Sequence, residues 1–350
     1  MSTPLKKFIV LLKEHHLFVY LVTHDPNIRY LTNFPASESW LLVSAKKSFY
    51  ITDFRYLQEA QKALSGIEVK RYKKSMFVTT FELLKQLGLK QLGFDERHLS
   101  LAMFKNLRKH CPRGIKLIAK NNLIETLREV KTPSEINLIR RALKINLQAF
   151  DYIKHVLKPG LTEKEVHLRL EHFVRAKGVG FSFPPIVASG PNSAFPHAKV
   201  TNRKIKTNDV VLIDMGIDVS GYKSDLTRMF FLGKIPRLFK DVEVMVRTAQ
   251  QKAITKIKAG VLASKVDNEA RNYLAKNKLA QYFGHSLGHG VGLEIHEAPR
   301  LSETSKAILK ENMVITVEPA VYLPNKFGIR IEDMVLVTKK GCEILSGNIH

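Results

Sequence analysis

The sequence has few cysteines, few acidic residues relative to basic ones, and no long apolar run. Cys111 and Cys342 are far apart and form no Cys-x-x-Cys pair, which excludes that redox or zinc motif and favours a reducing compartment. The apolar runs at 8–12 and 17–22 are much shorter than the ~20 residues that span a bilayer. No secretory-type cleavage site follows them. We therefore expect a cytoplasmic protein with no membrane partner.

Acidic residues are scarce enough to leave a large positive charge. Lys and Arg number 56 against 32 Asp and Glu, giving a net charge of +24. Such an excess can mark a nucleic-acid-binding surface. The basic residues are nevertheless spread along the chain, with the tightest groups at 70–74 and 202–204, and no helix-turn-helix, zinc-finger or RNP-type motif accompanies them. We expect a basic, solvated surface and no dedicated nucleic-acid partner.

The length of 350 residues predicts two domains. Residues 1–122 have short apolar runs that alternate with helical spacing, which indicates an α/β domain without metal-ligand spacing. Within it, 27–35 has the composition of a polar-aromatic loop, and Asp53 is placed to cap a helix at 56–63. The second domain is expected to cover 123–350.

The second domain has the same plan of helices twice. A capping box begins a helix at Thr132, Gly160 follows it, and Thr162 begins the next helix. About a hundred residues later a helix is followed by Gly260, and Ser264 is placed to cap the helix after it. This recurrence predicts an internal duplication.

The segment 285–297 contains three histidines, His285, His289 and His296, among alternating glycines. Each Gly costs about 1 kcal/mol inside a helix, so an extended segment that another backbone or a ligand can approach is expected. The segment is not a zincin motif, because Arg300 occupies the position of the second histidine. A single histidine is more often structural, so a site here requires carboxylates from elsewhere in the chain.

Two apolar hairpins supply such carboxylates. If the first hairpin is centred between 219 and 220, Asp214 and Asp225 face each other; if the second is centred on Asn325, Glu318 and Glu332 do. Opposed residues have Cβ atoms about 4.5–5.5 Å apart, where like charges repel unless a cation lies between them. An acid in a strand is usually solvated, but these acids lie within strongly apolar strands, where an unpaired charge is costly. Two such pairs beside a glycine-flanked histidine indicate a metal site.

Two Asp, two Glu and one His form a ligand set rich in oxygen, which suits Mn²⁺ or a similar divalent ion. Four carboxylates exceed the need of one ion and fit a two-metal centre with ions ~3.5–4 Å apart. Such a centre activates a water and polarises a carbonyl, as amide hydrolysis requires. His197, His285 and His296 are then available to handle protons and stabilise a tetrahedral intermediate.

These residues resemble the pita-bread metallopeptidases, specifically the Xaa-Pro peptidase branch that contains aminopeptidase P and prolidase. The matching segments are 211–216, 224–228, 283–299, 316–320 and 328–333. Residues 29–32 and 52–56 are similar to the creatinase-type N-terminal domain. The resemblance covers nearly the whole chain. It implies an α+β protein in which a pita-bread catalytic domain follows a smaller α/β domain of creatinase type.

The resemblance also implies two divalent ions, with Mn²⁺ expected and Co²⁺ or Zn²⁺ as alternatives. Its metal-ligand positions are filled here by Asp214, Asp225, His289, Glu318 and Glu332. In that family pattern Asp214 binds one ion, His289 and Glu318 bind the other, and Asp225 and Glu332 bridge the two.

Further roles follow from the resemblance alone. His197 matches the histidine that handles protons and stabilises the intermediate, and His296 matches the one near the scissile carbonyl. Glu318 is also a candidate general base, while His285 and Arg330 match positions at the substrate pocket.

The implied substrate is a proline-containing peptide cleaved at the Xaa-Pro bond, and the implied assembly is a homodimer. The choice between a dipeptidase and an aminopeptidase that accepts longer chains stays open. So do two alternatives: a methionine-type aminopeptidase, which usually lacks the N-terminal domain of ~120 residues, and an inactive peptide-binding relative.

Overall fold

The computed structural model describes residues 3–347, which form two compact units divided between Arg128 and Glu129. The boundary expected after residue 122 is six residues earlier and stays a prediction. The difference comes from the helix Leu123–Glu129, whose contacts lie with the first unit. There Glu125 accepts a hydrogen bond from Asn27 at 2.7 Å. No helix among the described residues is both long and apolar enough to cross a membrane.

The N-terminal unit is a mixed sheet with helices. Its helices are α1 (Pro4–Glu14), α2 (Asp25–Thr32), α3 (Leu57–Ala63), α4 (Met76–Gln86), α5 (Leu101–His110) and α6 (Leu123–Glu129). Its strands are β1 (Val19–Val22), β2 (Trp40–Ser44), β3 (Phe49–Thr52), β4 (Glu68–Arg71), β5 (Gln91–Asp95) and β6 (Lys116–Lys120). The strands are ordered β4-β3-β2-β1-β5-β6, and the buried core lies between the sheet and helices such as α4.

Two local predictions for this unit are wrong. Residues 27–35 were expected to be a loop, but α2 covers most of them, because Pro26 starts the helix and Asn33, in the left-handed conformation, ends it. Asp53 does not cap α3, whose N-cap is Tyr56 without a side-chain bond. The Asp53 carboxylate instead accepts hydrogen bonds from the backbone and guanidinium of Arg55.

The C-terminal unit has four long helices and a set of short strands. The helices are α7 (Pro133–Val156), α8 (Glu163–Ala176), α9 (Arg237–Lys256) and α10 (Ala263–Lys276), with 3-10 turns at Gly190–Ala194 and Ala280–Tyr282. The strands are β7 (Gly180–Phe181), β8 (Ile186–Ser189), β9 (Val210–Met215), β10 (Ile217–Val219), β11 (Tyr222–Lys223), β12 (Leu226–Phe231), β13 (Gly288–Gly290), β14 (Glu297–Leu301), β15 (Val314–Val317), β16 (Ala320–Leu323), β17 (Phe327–Arg330), β18 (Asp333–Val337) and β19 (Cys342–Ile344).

These strands form small antiparallel sheets that belong to the two halves of the unit. The first half contains β12-β9-β8 and β11-β10-β7, and the second contains β14-β13-β15-β18-β19 and the pair β16-β17. The buried apolar faces of α9 and α10 pack in one core with β15 and β18 of the second half. Burial of this continuous apolar surface fixes the strands that carry the acidic residues.

The two halves repeat the same contacts, as an internal duplication predicts. The amide of Gly160 donates to Ile205 O at 2.9 Å, and that of Gly260 donates to Leu309 O at 2.8 Å. Isolated β-bridges then join Thr162 to Lys204 and Leu262 to Ile308. The capping box predicted at Thr132 is present, and the helix predicted to begin at Thr162 also begins with a capping box. The cap predicted at Ser264 is wrong, because α10 begins earlier and its N-cap, Leu262, has no polar side chain.

Candidate metal centre

The first hairpin does not place Asp214 opposite Asp225. Asp214 pairs with Thr227, because the loop is the two residues Ser220 and Gly221, both with positive φ, and not a turn centred between 219 and 220. The predicted register is therefore wrong by two residues. A shift of two keeps every side chain on the same face of the ladder, so Asp225 stays diagonal to Asp214 rather than moving to the other side.

The strands of this hairpin are interrupted beside both aspartates. Gly216 separates β9 from β10, and a Cβ on it would lie 1.9 Å from Ser224 O, so glycine is required for this close approach. Ser224 and Asp225 lie in the matching gap between β11 and β12.

The second hairpin has the predicted register. Val317 pairs with Asp333, and Ala320 pairs with Arg330. Both pairs belong to the register that sets Glu318 across from Glu332. The strands are again interrupted there, since β15 ends before Glu318 and β18 begins after Glu332. Each glutamate thus lies at a break in the ladder, where its side chain is not forced to one of the two sheet faces.

His289 lies on β13 between two glycines. A Cβ at Gly288 would lie 2.0 Å from Thr316 O, and one at Gly290 would lie 2.2 Å from Ala298 O. Only glycine allows the flanking strands this close, which explains the glycine pattern and confirms the extended conformation predicted here. The His289 Nε2 atom is 3.3 Å from Glu318 Oε1 and 3.5 Å from Asp225 Oδ2.

The predicted metal ligands lie together in one buried cluster. Asp225, His289 and Glu332 each place a ligand atom within 4.8 Å of the others. Glu318 is joined to them through His289, and Asp214 through Arg330, whose Nη2 lies 2.5 Å from Asp214 Oδ2. Glu332 is 2% exposed and Asp225 5%, so water screens neither charge.

The cluster holds more negative charge than its protein partners neutralise. Burial, together with the neighbouring carboxylates, raises the pKa of Asp225 and of Glu332 well above the usual range. Burial also raises the pKa of Asp214, although Arg330 opposes it, and Asp214 Oδ1 is buried without a hydrogen-bond partner among the described residues. A buried carboxylate oxygen without a partner, among carboxylates of like charge, is a position that a bound cation would stabilise.

Glu318 and His289 differ from the other members because they pair with each other. Burial favours the neutral form of each, but the hydrogen bond and charge of the partner outweigh it. The pKa of Glu318 is therefore lowered and that of His289 raised.

A polar network around Arg330 was not found from the sequence, which placed Arg330 only at the substrate pocket. The guanidinium donates to Tyr322 Oη at 2.6 Å and to Thr227 Oγ1 at 3.0 Å, and Thr227 Oγ1 donates to Glu332 Oε2 at 2.8 Å. Strand periodicity gave no signal for Tyr322, because the chain between Glu318 and Tyr322 is interrupted between β15 and β16, which belong to different sheets.

The remaining predicted histidines lie near the cluster. The His296 ring centroid is 4.4 Å from that of His289, and His285 Nε2 is 3.2 Å from Tyr322 Oη. Burial lowers the pKa of both His285 and His296, and the charge of His197 contributes to each shift. His197 itself is exposed, one residue after Pro196, whose carbonyl accepts a hydrogen bond from Arg330 at 3.1 Å.

Known proteins are similar to nearly the whole chain in sequence and in fold. Over 353 residues the chain is 34% identical to a Xaa-Pro dipeptidase of Pyrococcus horikoshii, a match that covers 99% of this chain and 97% of that protein. A solved Xaa-Pro dipeptidase from Bacillus anthracis has a TM-score of 0.94 at 35% identity, covering 99% and 97% of the two chains. The X-Pro aminopeptidase of Thermotoga maritima has a TM-score of 0.91 at 34% identity, covering 98% and 97%.

Both units also match known families. Residues 4–130 match the creatinase/prolidase N-terminal domain, and residues 137–339 match metallopeptidase family M24. The α+β fold expected from the sequence, a creatinase-type domain followed by a pita-bread catalytic domain, is confirmed. The chain belongs to metallopeptidase family M24 and carries a creatinase/prolidase N-terminal domain.

Proposed function

We propose that this protein is a dinuclear metallopeptidase that hydrolyses Xaa-Pro bonds in dipeptides or at the N-termini of peptides. The observation that carries the proposal is the cluster of His289 with Asp225, Glu318 and Glu332, to which Asp214 is joined through Arg330. Relatives that span nearly the whole chain bear the names Xaa-Pro dipeptidase and X-Pro aminopeptidase, which supports the same substrate class.

The residues present fit divalent metal ions. Asp214 offers a buried oxygen without a hydrogen bond, and burial against like charge raises the pKa of Asp225 and Glu332, so bound cations would relieve both costs. We assign Asp214 to one ion, His289 and Glu318 to the other, and Asp225 and Glu332 to both. When bound, divalent ions supply the Lewis acidity that activates a water nucleophile and polarises the scissile carbonyl. The oxygen-rich ligand set favours Mn²⁺ over a thiolate-preferring ion.

The chain's own residues supply the proton handling. The Glu318 carboxylate, kept ionised by His289, is suited to accept a proton from the attacking water. The His296 ring lies 4.4 Å from that of His289, centroid to centroid. We assign His296 and His197 to stabilising the negative charge that develops on the carbonyl oxygen, as imidazole donors do. Arg330 holds Asp214 and contacts Tyr322, which bonds His285, so this network orients a ligand and borders the substrate side. A homodimer in the cytoplasm stays a prediction.

A comparison of four peptides tests the proposal. Metal-stripped enzyme reloaded with Mn²⁺ is assayed with Ala-Pro, Ala-Pro-Ala, Ala-Ala-Ala and Met-Ala-Ser. We expect kcat/KM for a proline-containing peptide to exceed that for the others by at least about a hundredfold, and no activity without metal. Hydrolysis of Ala-Pro alone identifies a dipeptidase, and hydrolysis of both proline peptides identifies an aminopeptidase. Faster cleavage of Met-Ala-Ser, or no hydrolysis of any peptide with Mn²⁺ or Co²⁺, would contradict the proposal.

A further inference from the structure

Two buried carboxamides that the mechanism does not use lie directly behind the acidic cluster. The first is Asn146, near the middle of α7 and fully buried. Its Nδ2 donates to Met215 O at 2.8 Å and to Ser224 Oγ at 3.2 Å. Met215 follows Asp214 in the chain, and Ser224 precedes Asp225. One amide group therefore holds the chain beside both carboxylates of the first hairpin.

The second carboxamide is Gln250, on α9, and it makes the equivalent contacts in the other half. Its Nε2 donates to Val317 O at 3.0 Å, to Ile331 O at 3.2 Å and to Asp333 Oδ2 at 3.0 Å. Val317 precedes Glu318, and Ile331 and Asp333 flank Glu332. This amide group holds the chain beside both carboxylates of the second hairpin.

The two carboxamides lie on corresponding helices of the duplicated fold, one helical turn apart when Gly160 and Gly260 are matched. Each helix is the first of its half, ends at an extended C-cap, and is followed by a glycine with positive φ, Gly160 or Gly260. Every residue of α9 is described, and all of its buried residues other than Gln250 are apolar. A polar group in such a stripe costs free energy unless it is hydrogen-bonded. The amide nitrogen of each carboxamide is bonded, whereas Asn146 Oδ1 is buried without a hydrogen-bond partner among the described residues. In each half, the hydrogen-bond partners of the carboxamide nitrogen belong to the residues that flank a carboxylate pair.

The hairpins need such support because their ladders are broken where the carboxylates lie. The gaps at Gly216, 224–225, 318–319 and 331–332 leave peptide groups without regular strand partners. Four carboxylates facing one another also repel and tend to separate. Each carboxamide donates to both strands of one hairpin next to these gaps, so two or three hydrogen bonds oppose the separation of the two carboxylates.

We propose that Asn146 and Gln250 are paired positioning residues, each of which holds one carboxylate pair at the spacing that binds metal. Asn146 acts on Asp214 and Asp225, and Gln250 acts on Glu318 and Glu332. Neither carboxamide touches a ligand side chain. The inference rests on the proposed metal centre. It assigns the task of preorganising that centre to the helices behind it, rather than to the ions alone.

The test uses near-isosteric apolar replacements with matched controls on the same helices. Asn146→Leu and Gln250→Met remove the amides. Asn137→Leu and Gln251→Met make the same substitutions at exposed positions of α7 and α9. Full-length metal-stripped proteins are titrated with Co²⁺, followed by visible absorption, and kcat and KM for Ala-Pro are measured after saturation with Mn²⁺. Circular dichroism reports folding. Asn146→Ser, which keeps one donor, replaces Asn146→Leu if that variant does not fold.

We expect the buried variants to bind Co²⁺ about 10- to 100-fold more weakly than wild type, because a group that orients metal ligands has been removed. Their kcat should fall by a larger factor than their KM changes. The exposed controls should match wild type, and Asn146→Ser should lie between. Wild-type Co²⁺ affinity in both buried variants, or an equal loss in the exposed controls, would overturn the inference while leaving the metal centre intact. Failure of the wild type to bind Co²⁺ would remove the proposed function, and this inference with it.

Discussion

Among residues 3–347, two clusters bring three histidine and carboxylate ligand atoms together, one in each unit, and one of the two has the character of a metal centre. In the N-terminal unit His24, His98 and Glu125 place ligand atoms within 4.8 Å of one another, as Asp225, His289 and Glu332 do in the C-terminal unit. By distance alone the two clusters are equivalent. The two clusters differ in their net charge and in the directions in which the lone pairs of their histidine rings point.

In the N-terminal cluster, hydrogen bonds to one carboxylate oxygen of Glu125 stabilise its charge, although Glu125 Oε2 is buried without a hydrogen-bond partner among the described residues. Glu125 Oε1 accepts from Asn27 at 2.7 Å and lies 2.8 Å from His98 Nε2. Burial raises the pKa of Glu125, but these bonds outweigh it and lower the pKa to about 2. The His24 and His98 rings are stacked, with centroids 3.7 Å apart and planes 6° from parallel. Imidazole lone pairs lie in the ring plane, so two stacked rings do not point at one ion.

The carboxylate-rich cluster has the opposite balance, since burial and like charge raise the pKa of Asp225 and Glu332. Proximity of ligand types therefore does not define a metal site. A surplus of buried negative charge over the positive charge of its protein partners is the better criterion. Glu→Gln substitutions keep the size of the side chain and remove its charge, so they distinguish a cluster with surplus negative charge from one whose charge is stabilised by hydrogen bonds.

The largest expected effect is on catalysis. Glu332→Gln should lower kcat/KM for Ala-Pro by at least about a thousandfold with the fold retained, because an amide cannot replace a bridging carboxylate. The matched change in the other cluster, Glu125→Gln, should leave kcat/KM within about threefold of wild type at pH 7, since no reacting group depends on it. Circular dichroism checks folding. Near-normal activity in Glu332→Gln would refute the bridging role.

The next effect is on stability and has opposite signs in the two clusters. In metal-stripped protein, Glu332→Gln should raise the melting temperature, because it removes a charge whose burial is not compensated. Glu125→Gln should lower the stability at pH 7 by up to about 3 kcal/mol, the value of a shift from 4.5 to about 2. Because the folded pKa is depressed, this contribution is complete above about pH 4.5 and is lost as pH falls towards about 2.

Thermal melts of wild type and Glu125→Gln across that pH range measure this contribution. The two curves should converge on the acid side, where wild-type Glu125 becomes protonated. A constant difference between them would show that Glu125 contributes through packing rather than charge.

The sequence predicted the members of the carboxylate-rich cluster but not the geometry that joins them. The five predicted ligands were recognisable because an acid in an apolar strand is costly unless it is paired, and because the histidine lies among glycines that let a ligand approach. The register of the second hairpin followed from the turn at Asn325. The register of the first hairpin could not be predicted in the same way, because the composition of the turn does not indicate that Ser220 adopts a positive φ. Asn146 and Gln250 were not found, since a single polar residue in a helical stripe gives no periodic signal.

The smallest expected effect is an absence of change in metal binding. His24→Ala should leave the Co²⁺ stoichiometry and affinity of the metal-stripped protein at wild-type values, because the stacked ring does not point at a common ion with His98. Isothermal titration calorimetry on wild type, His24→Ala and Glu332→Gln makes the comparison, with loss of affinity expected only in the last. If His24→Ala lost one tight equivalent of Co²⁺, the rings would have to unstack on binding. Charge balance would then be a poor guide to which cluster holds metal.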